Sequence, residues 1–238
     1  MGWGGTADVW GYRPGAGAGE PPAVIVAGVD VGGARKGFHA VLLEEQTVID
    51  QLNTPDPEAL ARWCLRAERI AIDAPCGWAL PGERSRLCER QLAAQGVRCF
   101  ATPTREVALA SRSNFYGWVL RAEALYQALQ RYRVPIARDA QALQGRCSFE
   151  SFPHGITVAL SPQIEVKAAF KLEQRSALLE RFGVSLSGLN SIDWIDAAVC
   201  ALAGQHISQG AAAEIYGEPE GGLLVLPGRT RHTAGSTE

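Results

Sequence analysis

The sequence predicts an α/β domain built on a mixed five-stranded sheet, which is flanked by helices and carries a helical insertion after the fourth strand. Two observations predict this class. Near the start of the chain, three strand-like segments are separated by short turns, and a helical segment then precedes a fourth strand. Short connections join antiparallel neighbours, whereas a helical crossover brings the next strand parallel to an earlier one.

The first three strands are predicted from apolar runs that are separated by turn residues. Residues 23–31, "AVIVAGVDV", have the continuous apolar character of a buried strand, and the "GGARK" that follows is typical of a turn. The second and third strands are predicted over residues 37–45 and 47–53. We therefore expect three consecutive antiparallel strands.

A helix and a fourth strand follow. The segment "TPDPEALARWCLRA" has helix start signals, with Thr54 or Asp56 as the N-cap residue and Pro57 in the first turn. It leads into "RIAIDAP", residues 69–75, a short apolar segment that ends in a carboxylate and a proline. Because a helix intervenes, we expect this strand to be parallel to an earlier one.

The rest of the chain alternates helical segments with short apolar ones. Residues 82–146 are predicted to form a mostly helical insertion, and "RCSFESFP", residues 146–153, is predicted to be the fifth strand. Two further helices are expected over residues 173–183 and 191–207. The segment "LLVLP", residues 223–227, is a candidate for a late edge strand.

The organisation of the chain predicts one domain with unstructured ends. Residues 23–227 are expected to form a single domain, residues 1–22 a flexible leader and residues 228–238 a flexible tail. The chain has neither a signal-peptide pattern nor an apolar run of membrane-spanning length, so a cytoplasmic location is expected. Its six cysteines lack the spacing of a zinc site or a disulfide framework.

The charge is uneven along the chain. The net charge of −2 is unusual for a protein that coats nucleic acid, yet the stretch from Arg84 to Arg146 holds eleven arginines against four acidic residues. A basic block of this kind could bind the phosphates of a nucleic acid. It could equally form the solvated faces of arginine-rich helices.

Several acidic residues lie where a solvated charge is not expected. Asp30 is embedded in the first strand, Asp73 ends the fourth, Glu150 lies in the fifth, and Asp193 and Asp196 fall on a mostly apolar helix. A buried, unpaired charge is costly, so each of these residues needs a partner or a bound cation. A turn-forming or helix-start role is the alternative for several of them.

The spacing of these carboxylates predicts a divalent metal site. Adjacent strands lie about 4.8 Å apart, so Asp30 and Asp73 can share an ion if the first and fourth strands pair. Asp193 and Asp196 are three residues apart, which places both on one face of their helix. Oxygen ligands favour Mg²⁺ or Mn²⁺, and three or four carboxylates could hold two ions for phosphoryl chemistry.

Basic and aromatic residues near these acids are candidates for substrate contacts. An arginine and a lysine follow Asp30 in the turn, three arginines follow Asp73, and a histidine follows Glu150 and could assist a proton transfer. Aromatic residues in "NFYGW", residues 114–118, could stack on bases, although core packing is the usual explanation. The candidate substrate-binding residues are Arg35, Lys36, Arg84, Arg86, Arg90 and His154.

A series of motifs in one order resembles a known family. The motifs are "GVDVGGARKGFHAVLL", "IDAPCGW", "RSRLCER", "ESFPH", "DWIDAAVCALAG" and "YGEPEGGLLVLP". They are similar to those of the bacterial and archaeal family labelled domain of unknown function 429, whose members are predicted to be RNase H-like nucleases. The resemblance spans roughly residues 24–227.

The resemblance implies a fold and a catalytic site. An RNase H-like fold implies three antiparallel strands, with the first and fourth strands adjacent and parallel. It also implies that Asp30, Asp73 and Asp196, with Asp193, bind the catalytic metals. The D-x-x-D-A helix is similar to that of Holliday-junction resolvases of the RuvC kind. Glu150 lies in the family's "ESFPH" motif and is a further catalytic candidate.

The sequence therefore predicts a metal-dependent nuclease that hydrolyses phosphodiester bonds with carboxylate-bound Mg²⁺ or Mn²⁺. One alternative is a non-catalytic nucleic-acid or protein binding module that retains the fold. A second alternative is a nucleotide phosphohydrolase. A third is an ATP-binding relative of actin-like kinases, because "GVDVGG" resembles the first phosphate loop of those enzymes. The sequence leaves open the choice among DNA, RNA and nucleotide substrates, the mode of cleavage, and whether the protein is a monomer or a dimer.

Overall fold

A seven-stranded mixed sheet runs through residues 23–135 and 137–229, the part of the chain that this computed structural model describes. The predicted leader, residues 1–22, and most of the predicted tail, residues 230–238, lie outside the described residues. The strands are β1 (Ile25–Val31), β2 (Phe38–Glu44), β3 (Thr47–Thr54), β4 (Arg69–Asp73), β5 (Cys147–Glu150), β6 (Ala213–Glu218) and β7 (Gly222–Pro227).

The first part of the sheet has the predicted arrangement. β1, β2 and β3 are consecutive antiparallel neighbours, and β4 pairs with β1 in parallel. Helix α1 (Pro57–Cys64) makes the crossover between β3 and β4, and the Asp56 side chain caps it by accepting a hydrogen bond from the Glu58 amide at 2.9 Å. The three antiparallel strands and the parallel pairing of the first and fourth strands are thus confirmed.

The predicted number of strands was wrong, because the sheet has seven strands in the order β3-β2-β1-β4-β5-β7-β6. The segment predicted as a late edge strand is β7, which lies inside the sheet between β5 and β6. β6 is the edge strand beside β7, with β3 at the opposite edge, and the sequence did not predict it. Its sequence, "AEIYGE", has no apolar run, and it forms a strand because it pairs with β7 across a tight turn.

Helices cover both faces of the sheet. After α1, the helices are α2 (Leu87–Ala94), α3 (Arg105–Ala110), α4 (Gly117–Ala128), α5 (Pro153–Leu160), α6 (Lys171–Arg181) and α7 (Ile192–Ser208). One face packs against α1 and α4, and the other packs against α7 with α5 and α6, while α2 contacts β6 and β7. Throughout residues 23–135 and 137–229, every helix is too short or too polar to cross a membrane.

Helix α7 lies unusually close to β1. A Cβ atom placed on Gly28 would lie 1.9 Å from the Ala197 carbonyl oxygen and 2.3 Å from the Ala201 nitrogen. Only glycine leaves room for the helix backbone at this point. Because side chains alternate along a strand, Asp30 points to the same face as Gly28, whereas Val29 packs in the core on the opposite face.

We expect Gly28→Ala to lower the free energy of unfolding by about 3 kcal/mol, because the new methyl group collides with backbone atoms that cannot rotate away. Gly33→Ala is the matched control, since a Cβ atom there meets nothing within 4 Å. Urea denaturation of both variants measures the difference. Equal stabilities would show that α7 and β1 are not in close contact.

Candidate metal centre

Two carboxylates lie side by side at the carboxyl ends of β1 and β4. In the parallel register of these strands, Asp30 is the direct partner of Asp73. Asp73 follows Ala71 by two residues, and Ala71 packs in the core that contains the α7 side chains. Both carboxylates therefore point to the face that α7 covers, and both are only partly exposed.

Helix α7 supplies a third carboxylate. The helix begins after Ser191, whose hydroxyl accepts a hydrogen bond from the Trp194 amide at 3.4 Å, and Asp196 lies in its second turn. Asp196 is 7% exposed. Carboxylate oxygens of Asp30, Asp73 and Asp196 all lie within 4.8 Å of one another. Two central strands and the main helix thus converge on one point.

A second group of potential ligands shares Asp30 with the first. Ligand atoms of Asp30, His39 and Asp193 also lie within 4.8 Å of one another. His39 is opposite Asp30 in the antiparallel register of β1 and β2. Sequence reasoning missed this histidine, although the predicted β1–β2 hairpin would have brought it to Asp30 once the register was known.

The His39 ring is held in place by its neighbours. Its Nε2 atom lies 3.1 Å from the Asn53 amide nitrogen, and the ring meets Trp194 edge to face at 4.8 Å between centroids. Its buried Nδ1 atom has no hydrogen-bond partner among residues 23–135 and 137–229.

Each of the two helix carboxylates has a cation of its own. The Lys36 ammonium group donates to both oxygens of Asp193 at 2.8 Å, and the Arg175 guanidinium forms an ion pair with Asp196. Lys36 is one of the predicted substrate-binding residues. Arg175, on α6, was not predicted, because only the contact between α6 and α7 brings it to the site.

The two strand carboxylates have no such partner. Within the described part of the chain, the side chains of Asp30 and Asp73 accept no hydrogen bond and form no ion pair. Two neighbouring carboxylates without a counter-ion are unfavourable in a partly buried site. Either a bound proton or a cation from outside the protein would relieve this repulsion.

Burial and, to a smaller extent, neighbouring charges shift the pKa values of Asp30 and Asp73. Burial raises the pKa of Asp30 to about 7, and repulsion from Asp196 and Asp193 adds to the shift, while Lys36 and Arg175 oppose it. Burial also raises the pKa of Asp73 well above its ordinary value, and Asp30 contributes through its negative charge. A bound cation would favour the ionised carboxylates, so its uptake should release protons and strengthen as the pH rises.

The donor set fits a hard divalent cation. Mg²⁺ binds oxygen ligands at about 2.1 Å and Ca²⁺ at slightly longer distances, and both prefer carboxylates. Asp30, Asp73 and Asp196 offer three such oxygens at close range. The second group adds an imidazole, a ligand that suits transition metals better than Mg²⁺.

Glu150 lies beside this cluster but its oxygens are already used. Arg86 donates to both of them at 2.5 and 2.6 Å, and the Cys76 amide donates to one at 2.9 Å. Arg86 also donates through Nε to Glu89 at 2.8 Å. All three charged residues are buried. The guanidinium that the sequence suggested as a phosphate contact is therefore neutralised inside the protein.

The other predicted substrate-binding residues are more peripheral. Arg35 and Arg84 are exposed, and Arg90 is exposed and paired with Glu83 at 2.9 Å. His154 is partly buried at the start of α5, where burial and the nearby Arg175 charge lower its pKa. Of the predicted basic residues, only Lys36 makes direct contact with a carboxylate of the two ligand groups.

The topology and the site define an α/β protein with the strand arrangement expected of an RNase H-like fold and an acidic centre at the ends of its central strands. The chain belongs to the family described as "Protein of unknown function (DUF429)", whose profile matches residues 28–221. The family resemblance seen in the sequence is thus confirmed.

One solved structure that the chain is similar to is that of RuvC from Thermus thermophilus. The two share 14% sequence identity with a TM-score of 0.43, and the similarity covers 80% of this chain and 98% of the other. Among curated proteins, none matches the sequence.

We expect Glu150→Gln to lower the free energy of unfolding by about 3 kcal/mol, because it leaves the buried Arg86 with one charged partner fewer. Glu83→Gln is the control, since it breaks an exposed pair whose contribution is below about 1 kcal/mol. Urea denaturation compares the two variants. If both variants lose the same free energy of unfolding, the buried pair of Arg86 and Glu150 contributes no more to stability than the exposed pair of Arg90 and Glu83.

The raised pKa of Asp30 predicts a pH-dependent stability in the absence of metal. Between the ordinary carboxyl value and about pH 7, the folded protein holds a proton at Asp30 that the unfolded chain releases. The free energy of unfolding should therefore fall as the pH rises across this range. Asp30→Asn removes the charge and should flatten the decline, making the variant more stable than the wild type at pH 8.

Urea denaturation at pH 5 and pH 8 in a chelating buffer tests this effect. Asp56→Asn is the control, because it removes an exposed carboxylate and keeps a good N-cap residue. If the free energy of unfolding of Asp30→Asn falls as steeply between pH 5 and pH 8 as that of the wild type, the assigned role of Asp30 is contradicted.

Proposed function

We propose that the protein is a metal-dependent nuclease that hydrolyses phosphodiester bonds with Mg²⁺ or Mn²⁺ held by carboxylates. One observation carries this proposal. Asp30 and Asp73 lie side by side without an internal cation, and Asp196 completes a group of three oxygen ligands around the same point. Buried acids of this kind cluster at functional sites because they are costly elsewhere.

The proposed ligands of the ion are Asp30, Asp73 and Asp196. Asp193 lies at the margin of the site with His39 and would take part if a second ion binds beside Asp30. When bound, such an ion supplies Lewis-acid activation of the phosphodiester and of the attacking water. Arg175 would hold Asp196 in place and offset part of the negative charge of the cluster.

Basic residues around the site would hold the nucleic-acid backbone. Lys36 has a side chain that is 58% exposed, and Arg35 beside it is also exposed, so both could reach a phosphate from the β1–β2 turn. Arg84 and Arg90 would contact the strand farther from the cluster. Contacts of this kind position a substrate without reading its sequence.

We assign Glu150 a positioning role instead of a place among the metal ligands. Its carboxylate binds the Cys76 amide and so anchors the loop that follows Asp73. It also binds Arg86, which lies at the start of α2. His154 is close enough to Arg175 for that charge to lower its pKa, and we propose that it contributes to the rim of the site.

The same ligands would also serve a nucleotide phosphohydrolase, and a binding module could retain the metal without turnover. An actin-like kinase is less well supported. Enzymes of that class carry two cores, whereas the strands of residues 23–135 and 137–229 form one sheet.

Calorimetric titration of Mn²⁺ tests the metal site directly. We expect Asp30→Asn and Asp73→Asn each to weaken Mn²⁺ binding by more than about 100-fold, since each removes a ligand. Asp56→Asn should bind Mn²⁺ like the wild type, and circular dichroism should show that all variants are folded. Equal binding by all four proteins, or none by the wild type, would remove the basis of the proposal.

Cleavage of end-labelled single-stranded and duplex oligonucleotides, with Mg²⁺ or Mn²⁺, then tests the activity. Cleavage that depends on the metal and is lost in both Asp30→Asn and Asp73→Asn supports a nuclease. Metal binding without cleavage of any strand, but with release of phosphate from nucleotides, would favour the phosphohydrolase. Metal binding without any turnover would favour the binding module.

A further inference from the structure

A small pocket opens directly beside the carboxylate cluster. Its volume is about 90 Å³, and Asp73 belongs both to its lining and to the proposed metal ligands. Phe100, Trp118 and Phe152 contribute aromatic rings to its lining. A molecule bound at Asp73 could therefore extend into the pocket without leaving the site.

The aromatic lining belongs to a larger cluster of rings. Phe100 lies at its centre, with ring centroids 5.0 Å from Trp118, 5.7 Å from Phe115 and 6.2 Å from Tyr116. Phe115 is 60% exposed. Phe100, Tyr116 and Trp118 are partly buried, so the cluster presents one exposed ring and the accessible parts of three others beside the polar site.

The charges around the pocket exclude an anionic occupant. Glu89, Glu150 and Asp73 all line it, and Arg86 is the one cation among its described lining residues. A phosphate placed in the pocket would meet more negative than positive charge. The Glu89 and Glu150 oxygens already accept hydrogen bonds from the protein, so an uncharged, planar group that packs against the rings suits this lining best.

A nucleotide combines the two requirements of the site. Its phosphate would lie at the metal ligands, where a cation offsets the negative charge, and its base is a flat, uncharged ring system. Aromatic side chains that stack on bases are common in proteins that bind single strands. A hydrophobic peptide would fill the pocket but would leave the metal ligands without a substrate.

We propose that the pocket lined by Phe100, Trp118 and Phe152 receives the edge of an unpaired base next to the phosphate that the carboxylate cluster attacks. At about 90 Å³ the pocket holds part of a base and not its whole ring system. This inference rests on the proposed nuclease function and names its substrate class. The substrate is a nucleic acid with an unpaired base at the cleavage point, such as a single strand or a branched end. In a continuous duplex, the bases are paired and stacked, and one would first have to leave the helix.

Fluorescence of 2-aminopurine tests this assignment. The probe is a single-stranded oligonucleotide with one central 2-aminopurine, titrated with the full-length protein in Ca²⁺, a cation that binds carboxylates, while gel analysis checks that the strand stays intact. Stacking on the pocket should quench the fluorescence. Trp118→Leu and Phe100→Leu should weaken this binding by roughly 10- to 100-fold, because each removes a stacking ring.

Two controls separate the pocket from the rest of the protein. Phe170→Leu removes a phenylalanine that is 52% exposed and does not line the pocket, so it should bind like the wild type. Mn²⁺ titration of the Trp118 and Phe100 variants should give wild-type affinity, which shows that both are folded and that the metal ligands are intact. Two variants are used because Trp118 also packs against the core.

Comparison of three probes identifies the source of the base. Quenching of the single-stranded probe but not of the matching duplex supports the proposal as stated. Quenching of 2-aminopurine nucleoside monophosphate alone would show that the pocket binds the base of a free nucleotide and not of a strand. Unchanged quenching in both pocket variants, or faster cleavage of the continuous duplex than of the single strand, would overturn the proposal.

The two proposals can fail separately. If the wild type binds no Mn²⁺ but quenching depends on Trp118 and Phe100, the nuclease proposal fails and the pocket still binds a base. If Mn²⁺-dependent cleavage of the single strand persists without quenching, the nuclease proposal stands and the pocket assignment is overturned.

Discussion

The close packing of α7 against β1 sets the position of the carboxylates in the candidate metal centre. Gly28 leaves the space in which the α7 backbone lies, and Ala197 and Ala201 face it from the helix. Asp30 follows Gly28 on the same face of the strand, and Asp196 directly precedes Ala197. A larger side chain at this contact would move the helix away and separate its carboxylate from those of the strands.

This packing also concentrates negative charge in a partly buried place. Lys36 and Arg175 balance the two helix carboxylates, but nothing in residues 23–135 and 137–229 balances Asp30 and Asp73 in the same way. In the metal-free protein, a proton on Asp30 relieves the repulsion between these two carboxylates below about pH 7, and the ionised carboxylates repel each other at higher pH. A divalent cation would relieve this repulsion, and folded proteins tolerate such a cost mainly where function requires it.

The buried ion pairs of Arg86 connect the insertion to the sheet. Arg86 precedes α2, and its guanidinium binds Glu150 on β5 and Glu89 on α2. Through the Cys76 amide, Glu150 also holds the loop that leaves Asp73. One polar network thus supports both the loop that follows Asp73 and the wall of the aromatic pocket. Because the charges are buried, removing Arg86 would leave both carboxylates without compensation.

Local sequence patterns were enough to predict the order of the first four strands, the crossover helix and the acidic residues that the structure brings together. Apolar runs, turns and helix-start signals are local, and an acid such as Asp30 within an apolar strand is visible without a structure. Other features depend on the tertiary fold: β7 lies inside the sheet, Arg86 occupies the Glu150 carboxylate, and Arg175 and His39 face the acids. These outcomes depend on contacts between residues far apart in the chain, and local sequence patterns carry no information about such contacts.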